Sequence, residues 1–285
     1  MKLALIGVGL IGGSFALAVR AAGKFDHIVG FDSRPEAMRR ALELGVIDEA
    51  ARSVANAVND ARLVMVAIPV GSIRGVLREI AANVSSTAIV SDVGSVKGSV
   101  VEDARCELGE SFARFVPGHP IAGSEHSGVE FADTELFSGK LFVSTPAAQT
   151  CAQALNYVEG VWQALGCRVE RMTPEDHDNI FAAVSHLPHL LAFALVGHVV
   201  ANPSAARMLE AAGSGFRDFT RIAASSPSMW RDICLANNAA IARELAVYRE
   251  RIDTLQRAIL LKDARTIEHV FEAASQSVLR TVAHR

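Results

Sequence analysis

An α/β fold, with a doubly wound parallel sheet followed by an all-helical second domain, is predicted for this 285-residue chain by two observations. Over the first half, short apolar runs alternate with amphipathic stretches, the pattern of parallel strands joined by helices that cover both faces of a sheet. Beyond residue 173 that alternation stops, and long Ala- and Leu-rich helical stretches take over.

The apolar runs are LALIGV (3–8), HIVGFD (27–32), LVMVAIPV (63–70) and AIVSDVG (88–94), then RFVPG (114–118) and KLFVSTP (140–146), all expected in one parallel sheet. Between them, residues 14–22, 35–44 and 95–108 carry apolar side chains at three- and four-residue spacing, which predicts helices. A further helix over 152–165 leads into an edge strand at 167–172. The helical half breaks at Asn202-Pro203, at Gly213 and Gly215, and at Ser226-Pro227, where turn and cap residues interrupt the pattern. This gives domains 1–172 and 173–285. Residues from 230 to about 282 read as two long helices, and an apolar helical domain of that kind is often completed by a second copy of itself, so a homodimer is expected.

Composition narrows the function class. Half of the residues are hydrophobic, 21% are charged and the net charge is −3, which excludes a disordered chain and supplies no basic face for nucleic acid. The start, MKLALIGVGLIGG, is broken by glycines and lacks a small-residue cleavage pattern, so it reads as a first strand, not a signal peptide. No run is expected to be long and apolar enough to span a membrane. Cys106, Cys151, Cys167 and Cys234 are widely spaced without a CxxC, which signals neither zinc nor a disulfide framework; reduced, buried thiols in a cytoplasmic protein are expected.

The first strand runs into GVGLIG, which puts Gly7, Gly9 and Gly12 at GxGxxG spacing at the mouth of a helix. In that context the first glycine permits the tight turn, the second lets backbone approach a pyrophosphate, and the third lets helix and strand pack, with the helix N-terminus facing the phosphates. Leu10 and Ile11 between the glycines, and Pro69 at the end of the third run, are expected to line the same site. Asp32 ends the second run, twenty residues beyond Gly12, where a carboxylate accepts hydrogen bonds from the adenosine ribose. A Rossmann-type dinucleotide-binding domain follows. Asp32 favours NAD; Arg34, two residues on, can offset that charge and admit NADP, or can be an exposed charge at a helix start.

Polar residues concentrate in GHPIAGSE (118–125), expected as a loop after a late strand. A histidine at the carboxyl edge of a doubly wound sheet sits where ligands bind, so His119 can take a proton from a substrate alcohol as hydride leaves, or can simply bond its own backbone. In DVGSVK (92–97), Ser95 can be an active-site group, a helix N-cap, or both. SHLPH (185–189) spaces His186 and His189 as HxxH without a third ligand, which argues against a metal site and for substrate contact by His189 with a structural hydrogen bond at His186. GSGFRDFTR (213–221) opens a short helix with Arg217 and Arg221, suited to a carboxylate or to a surface pair with Asp218.

Together these segments resemble the prephenate/arogenate (cyclohexadienyl) dehydrogenase family, through GVGLIGGS, DVGSVK, GHPIAGSEHSG, SHLPH, GFRDFTRIA and MWRDI in that order. The resemblance implies that His119 accepts a hydrogen bond from the substrate ring hydroxyl and that Ser95 helps fix this hydroxyl beside the nicotinamide. It implies that His189 lies near the substrate side chain, that Arg221 binds a carboxylate, and that Ser124, Glu125 and Asp218 lie around the same pocket. The implied reaction transfers hydride from the hydroxyl-bearing carbon to NAD, then loses carbon dioxide as the ring aromatises, with no metal. Prephenate and arogenate both stay open, since Glu125 can favour an ammonium or pair with Arg221. No chorismate mutase segment is expected ahead of the first strand, nor a regulatory module after the helices, which would leave any tyrosine inhibition to the active site. A β-hydroxyacid dehydrogenase, a pyrroline-carboxylate reductase and a non-enzymatic dinucleotide sensor share the glycine motif but have no need of HPIAGSE and SHLPH together.

Overall fold

The computed structural model describes residues 1–123 and 126–283. Strands β1 (Lys2–Ile6), β2 (His27–Phe31), β3 (Glu49–Ala50), β4 (Leu63–Val66), β5 (Ile89–Asp92) and β6 (Phe115–Val116) form a parallel sheet in the order β3-β2-β1-β4-β5-β6. The order reverses between β1 and β4, so the carboxyl ends of β1, β4 and β5 open on a crevice where ligands bind in such folds. Successive side chains of β1 point to opposite faces. Leu3 and Leu5 pack with Phe15, Met38 and Trp162, from helices α1 (Leu10–Ala21), α2 (Pro35–Glu43) and, after three intervening helices, α6 (Ala152–Ala164). Ala4 and Ile6 pack on the other face with Val54, Ile73 and Val100 of α3 (Val54–Val58), α4 (Val70–Asn83) and α5 (Gly98–Glu107).

The runs at 114–118 and 140–146 depart from the expected single sheet. Beyond Val116 the chain leaves β5 and forms a separate three-stranded sheet from β7 (Gly118–Pro120), β8 (Leu141–Ser144) and β9 (Arg168–Arg171), with β7 antiparallel and β9 parallel to β8. Pro117 has no N–H to extend the first ladder, and the polar groups of Gly118 are claimed by the Asp92 and Lys97 side chains, described below. His119 therefore lies in a short strand opposite Val143, not in a loop.

Among the described residues no strand follows β9. The helical part comprises α7 (Pro174–Phe181), α8 (Leu187–Val200), α9 (Ala205–Glu210), α10 (Ser214–Thr220), α11 (Pro227–Ala236), α12 (Asn238–Leu260) and α13 (Ala264–Ala283). Thr173 and Ser226 cap α7 and α11 through their hydroxyls, each followed by a proline at the first helical position. Between α7 and α8 the helix widens into a π turn over Ala182–His186. Pro188 explains it, because its ring cannot donate to the carbonyl four residues back and crowds it. The region after 230 holds the tail of α11 and then the two long helices. By internal contacts the chain divides into two compact units, Met1–Asn238 and Ala239–Arg285; every site residue discussed below is in the first.

Two sequence expectations need correction. The near-continuous helical run Pro174–Val200, 27 residues, is long and apolar enough by length and composition to cross a membrane. It also carries His177, Asp178 and His186, polar side chains buried and hydrogen-bonded within the first unit. The thiols are not uniformly buried: Cys167 is buried and Cys234 half-buried, while Cys106 and Cys151 are exposed.

Candidate active site

At the end of β1 the backbone turns under constraints that only glycine meets. Gly7 has φ +96°, and a Cβ there would lie 2.2 Å from the Ala67 carbonyl oxygen; a Cβ at Gly12 would lie 2.2 Å from the Gly7 carbonyl oxygen. Gly9, which opens α1, differs. A Cβ there would meet nothing within 4 Å beyond its own chain neighbours and helix backbone, which leaves open space at the N-terminus of α1. That is the cradle a pyrophosphate needs at a helix N-terminus, with Leu10 and Ile11 half-buried beside it and Pro69 exposed at the start of α4. At the end of β2, Asp32 accepts hydrogen bonds from the Val8 amide (3.0 Å) and from the Arg34 amide (3.0 Å) and Nε (3.1 Å). Burial works to raise the Asp32 pKa, but the Arg34 and Val8 hydrogen bonds win and hold it below the usual carboxylate value. The carboxylate is therefore compensated by Arg34, whose own side chain is 61% exposed at the start of α2.

The end of β5 supplies the next part. Asp92 and Lys97 form an ion pair with both side chains at 0% exposure. Asp92 also accepts the amides of Gly94 (2.8 Å) and Gly118 (3.2 Å), and the Lys97 ammonium donates to the Gly118 carbonyl at 2.7 Å. Both polar backbone groups of Gly118 are thus held by one buried pair, which sets the start of β7 and hence His119. A Cβ at Gly118 would lie 2.3 Å from the Phe142 ring, so no other residue fits. Burial pulls the Lys97 pKa down against the attraction of Asp92. The half-buried Ser95 sits in the turn between the two charges; α5 begins at Gly98 behind Lys97, so Ser95 is not its N-cap.

The His119 ring packs against Phe181 with centroids 5.0 Å apart, and its Nδ1 lies 2.8 Å from Nε2 of His177. His177, fully buried on α7, places its Nδ1 2.8 Å from Oδ1 of Asp178. Asp178 in turn accepts the amides of Lys97 and Gly98, both at 2.8 Å. Burial, followed by the charges of His177, Lys97 and His186, drives the His119 pKa well below the ordinary histidine value. Burial lowers His177 as well, against the hydrogen bond to Asp178. Burial would raise Asp178, but His177 and the two amides hold it below the usual carboxylate value. His186 takes the Asn237 side-chain amide on its Nδ1 at 3.2 Å, as a structural hydrogen bond, and burial brings its pKa down to about 4.

His189 diverges from His186. Its Nδ1 bonds the Ser185 carbonyl at 2.9 Å, and its ring stacks on Trp230 with centroids 3.8 Å apart. Burial lowers its pKa, and the charge of Arg221 adds to the effect. Arg221 begins a 3-10 turn after α10 and is exposed. Asp218 is also exposed, and Arg217 donates to the Ala212 carbonyl at 2.9 Å. Ser124 and Glu125 lie outside the described residues. Among the described residues, no group of three or more His, Cys, Asp or Glu side chains is placed to hold a metal.

The family pattern for the prephenate dehydrogenase nucleotide-binding domain matches residues 15–171, and that for the prephenate dehydrogenase dimerization domain matches 173–273. Prephenate dehydrogenase of Bacillus subtilis is 36% identical over 95% of this chain and 73% of its own length. The chain belongs to the prephenate dehydrogenase family. Cyclohexadienyl dehydrogenase of Zymomonas mobilis is 37% identical over 95% of this chain and 93% of its own. The crystal structure of A. aeolicus prephenate dehydrogenase, in complex with hydroxyphenyl propionate and NAD+, superposes with a TM-score of 0.90 at 38% identity, covering 98% of this chain and 97% of that one. The chain is accordingly an oxidoreductase with a nucleotide-binding domain, and the β-hydroxyacid dehydrogenase, pyrroline-carboxylate reductase and sensor readings are not favoured.

The sequence singles out His119, Ser95, His189 and Arg221, whereas the structure adds His177, Asp178, Asn237 and the Asp92–Lys97 pair to their surroundings. His177-Asp178 places two adjacent ionisable groups near the start of an apolar helix, and Lys97 is a lone cation directly after a buried strand end.

Proposed function

We propose that this chain oxidises and decarboxylates a cyclohexadienyl substrate, prephenate or arogenate or both, giving 4-hydroxyphenylpyruvate or tyrosine. The observation that carries this reading is the placement of His119 on β7 beyond the carboxyl edge of the sheet, its ring against Phe181 and its Nδ1 2.8 Å from Nε2 of His177, with burial holding its pKa well below the ordinary histidine value. When bound, NAD supplies the two-electron acceptor for the hydride. Gly7, Gly9 and Gly12 would hold its pyrophosphate, with Leu10, Ile11 and Pro69 alongside, and Asp32 its adenosine ribose; NAD is the better cofactor, with Arg34 leaving NADP possible.

His119 takes the proton of the ring hydroxyl as hydride leaves the same carbon, and Ser95 orients that hydroxyl. The ketone so formed is conjugated to the carbon bearing the carboxylate. Carbon dioxide departs, its bonding electron pair flows into the ring and on to the oxygen, and the resulting phenolate takes a proton back from His119. Aromatisation drives the step, so the protein has chiefly to orient the ring and bind carboxylates. His189 contacts the side chain, with Asp218 by the same pocket, and Arg221 binds a carboxylate. Arg221→Ala should raise the KM for substrate by an amount worth about 2 to 5 kcal/mol while NAD affinity stays unchanged; an unchanged KM removes Arg221 from the site.

The domains divide in role at 172/173, and the protein works as a cytoplasmic homodimer. Support for the dimer comes from the dimerization-domain match and from Leu260, Leu261, Phe271, Val278 and Leu279, each more than half exposed on the long helices or the turn between them. The deciding assay incubates purified protein with NAD and prephenate or arogenate and follows reduced cofactor and carbon dioxide. Equal yields of both products support the reaction, and the better substrate is the one with the higher kcat/KM. Turnover of neither substrate contradicts it.

A further inference from the structure

The hydrogen bonds behind His119 leave its protons no freedom. The Asp178 carboxylate is an acceptor only and already receives two backbone amides, so the His177 Nδ1 beside Oδ1 must carry a proton. His177 is fully buried and neutral, so its Nε2 bears a lone pair. Two nitrogens 2.8 Å apart share one proton, and His177 Nε2 has none to give; the donor is His119 Nδ1–H. A neutral His119 with a proton on Nδ1 keeps its lone pair on Nε2.

We propose that His177 and Asp178 are positioning residues that lock His119 in its Nδ1–H tautomer, so that Nε2 is the atom that receives the substrate hydroxyl proton. This rests on the reading of His119 as the base. In the transfer the substrate O–H bond breaks, the Nε2–H bond forms, and the electron pair left on oxygen becomes the carbonyl bond as the hydride departs. The imidazolium then formed keeps its Nδ1–H on His177, and the Asp178 charge lies one ring away. Lys97, Asp92 and His186 also face this cluster. The Lys97 ammonium opposes the imidazolium, so it is transient and readily returns its proton to the phenolate. Asp178 has a second task, because the amides it caps lie two and three residues after Ser95, in the same turn. One carboxylate fixes both the tautomer of the base and the turn that carries the orienting serine.

The test reads the tautomer itself, by ¹⁵N spectroscopy of histidine-labelled protein at neutral pH, alongside kcat and KM. In the wild type, His119 should show a protonated Nδ1 and a bare Nε2. His177→Leu removes the acceptor, so His119 should drift to the Nε2–H form and kcat should fall roughly 100-fold with little change in KM, in line with the usual weight of a positioned base. His177→Gln offers a carbonyl in place of the imidazole nitrogen and should restore the Nδ1–H form and much of the rate. An Nε2–H tautomer in wild type overturns the proposal, and this needs no variant to fold. So does a folded His177→Leu protein with normal kcat and unchanged tautomer. The parent reading fails separately, if His119→Asn itself turns over normally.

Discussion

The glycine loop at the end of β1 and the histidine cluster behind β7 lie in the same compact unit, yet each is specified differently. In the loop, backbone is fitted to backbone: Gly7 and Gly12 touch carbonyls within a few residues or on the neighbouring strand connection, and Gly9 is left open for what binds. In the cluster, side chains from three distant segments meet, with His119 and His177 separated by 58 positions and Lys97 and Asp178 by 81. The loop can fail only by losing a glycine or its Asp32. The cluster can fail by losing any member, because each buried polar group is another's partner and an unpaired one costs more than the bond it lost.

That contrast predicts unequal sensitivity. The largest effect on stability should come from Lys97→Met, which strands a fully buried carboxylate at Asp92 and should cost about 3 to 5 kcal/mol in chemical denaturation. Adding Asp92→Asn should recover part of the loss; a Lys97→Met protein as stable as wild type would show that the pair does not hold β7. Next comes acid. His186 titrates at about 4 in the fold against 6.5 for an ordinary histidine, so the unfolded chain binds the extra proton. Stability is then full above pH 6.5 and is lost as pH falls toward 4, by about 3 kcal/mol from this residue alone, with His177 and His119 acting in the same direction. Melting temperature measured from pH 7 to 4 should drop accordingly, and a flat profile would contradict the burial of neutral histidines. The smallest effect belongs to the loop. Asp32→Ser should narrow the preference for NAD over NADP by about tenfold, roughly 1.4 kcal/mol, since it removes the carboxylate and frees Arg34 for a 2′-phosphate. Wild-type protein that prefers NADP would reverse the roles given to these two residues.

The same contrast explains what the sequence could reveal. Gly7, Gly9, Gly12 and Asp32 were legible because their constraint is local and recurs at fixed spacing after a strand. The helical half was legible as far as its break at Ser226-Pro227, because capping is decided within one turn. The short strand holding His119 was not, since it exists only where Asp92 and Lys97 hold Gly118 and the chain returns to pair with β8. Nor was the role of His177-Asp178, which reads as an ordinary polar helix start until α7 is packed against the Lys97 turn. A pattern of residue types records which groups are present; only the fold brings a base to its partner.

The central claim is that a neutral His119 accepts the substrate proton, and turnover against pH for wild type and His119→Asn tests it most directly. With its pKa held well below the ordinary value, wild-type kcat should stay level down through pH 6.5 and fall only in more acid solution, as the imidazole takes up a proton. His119→Asn should fold, bind substrate and NAD, lose that acid limb, and turn over roughly 100 to 10,000 times more slowly. Near-normal turnover by a well-folded His119→Asn protein, with the acid limb intact, would contradict the account.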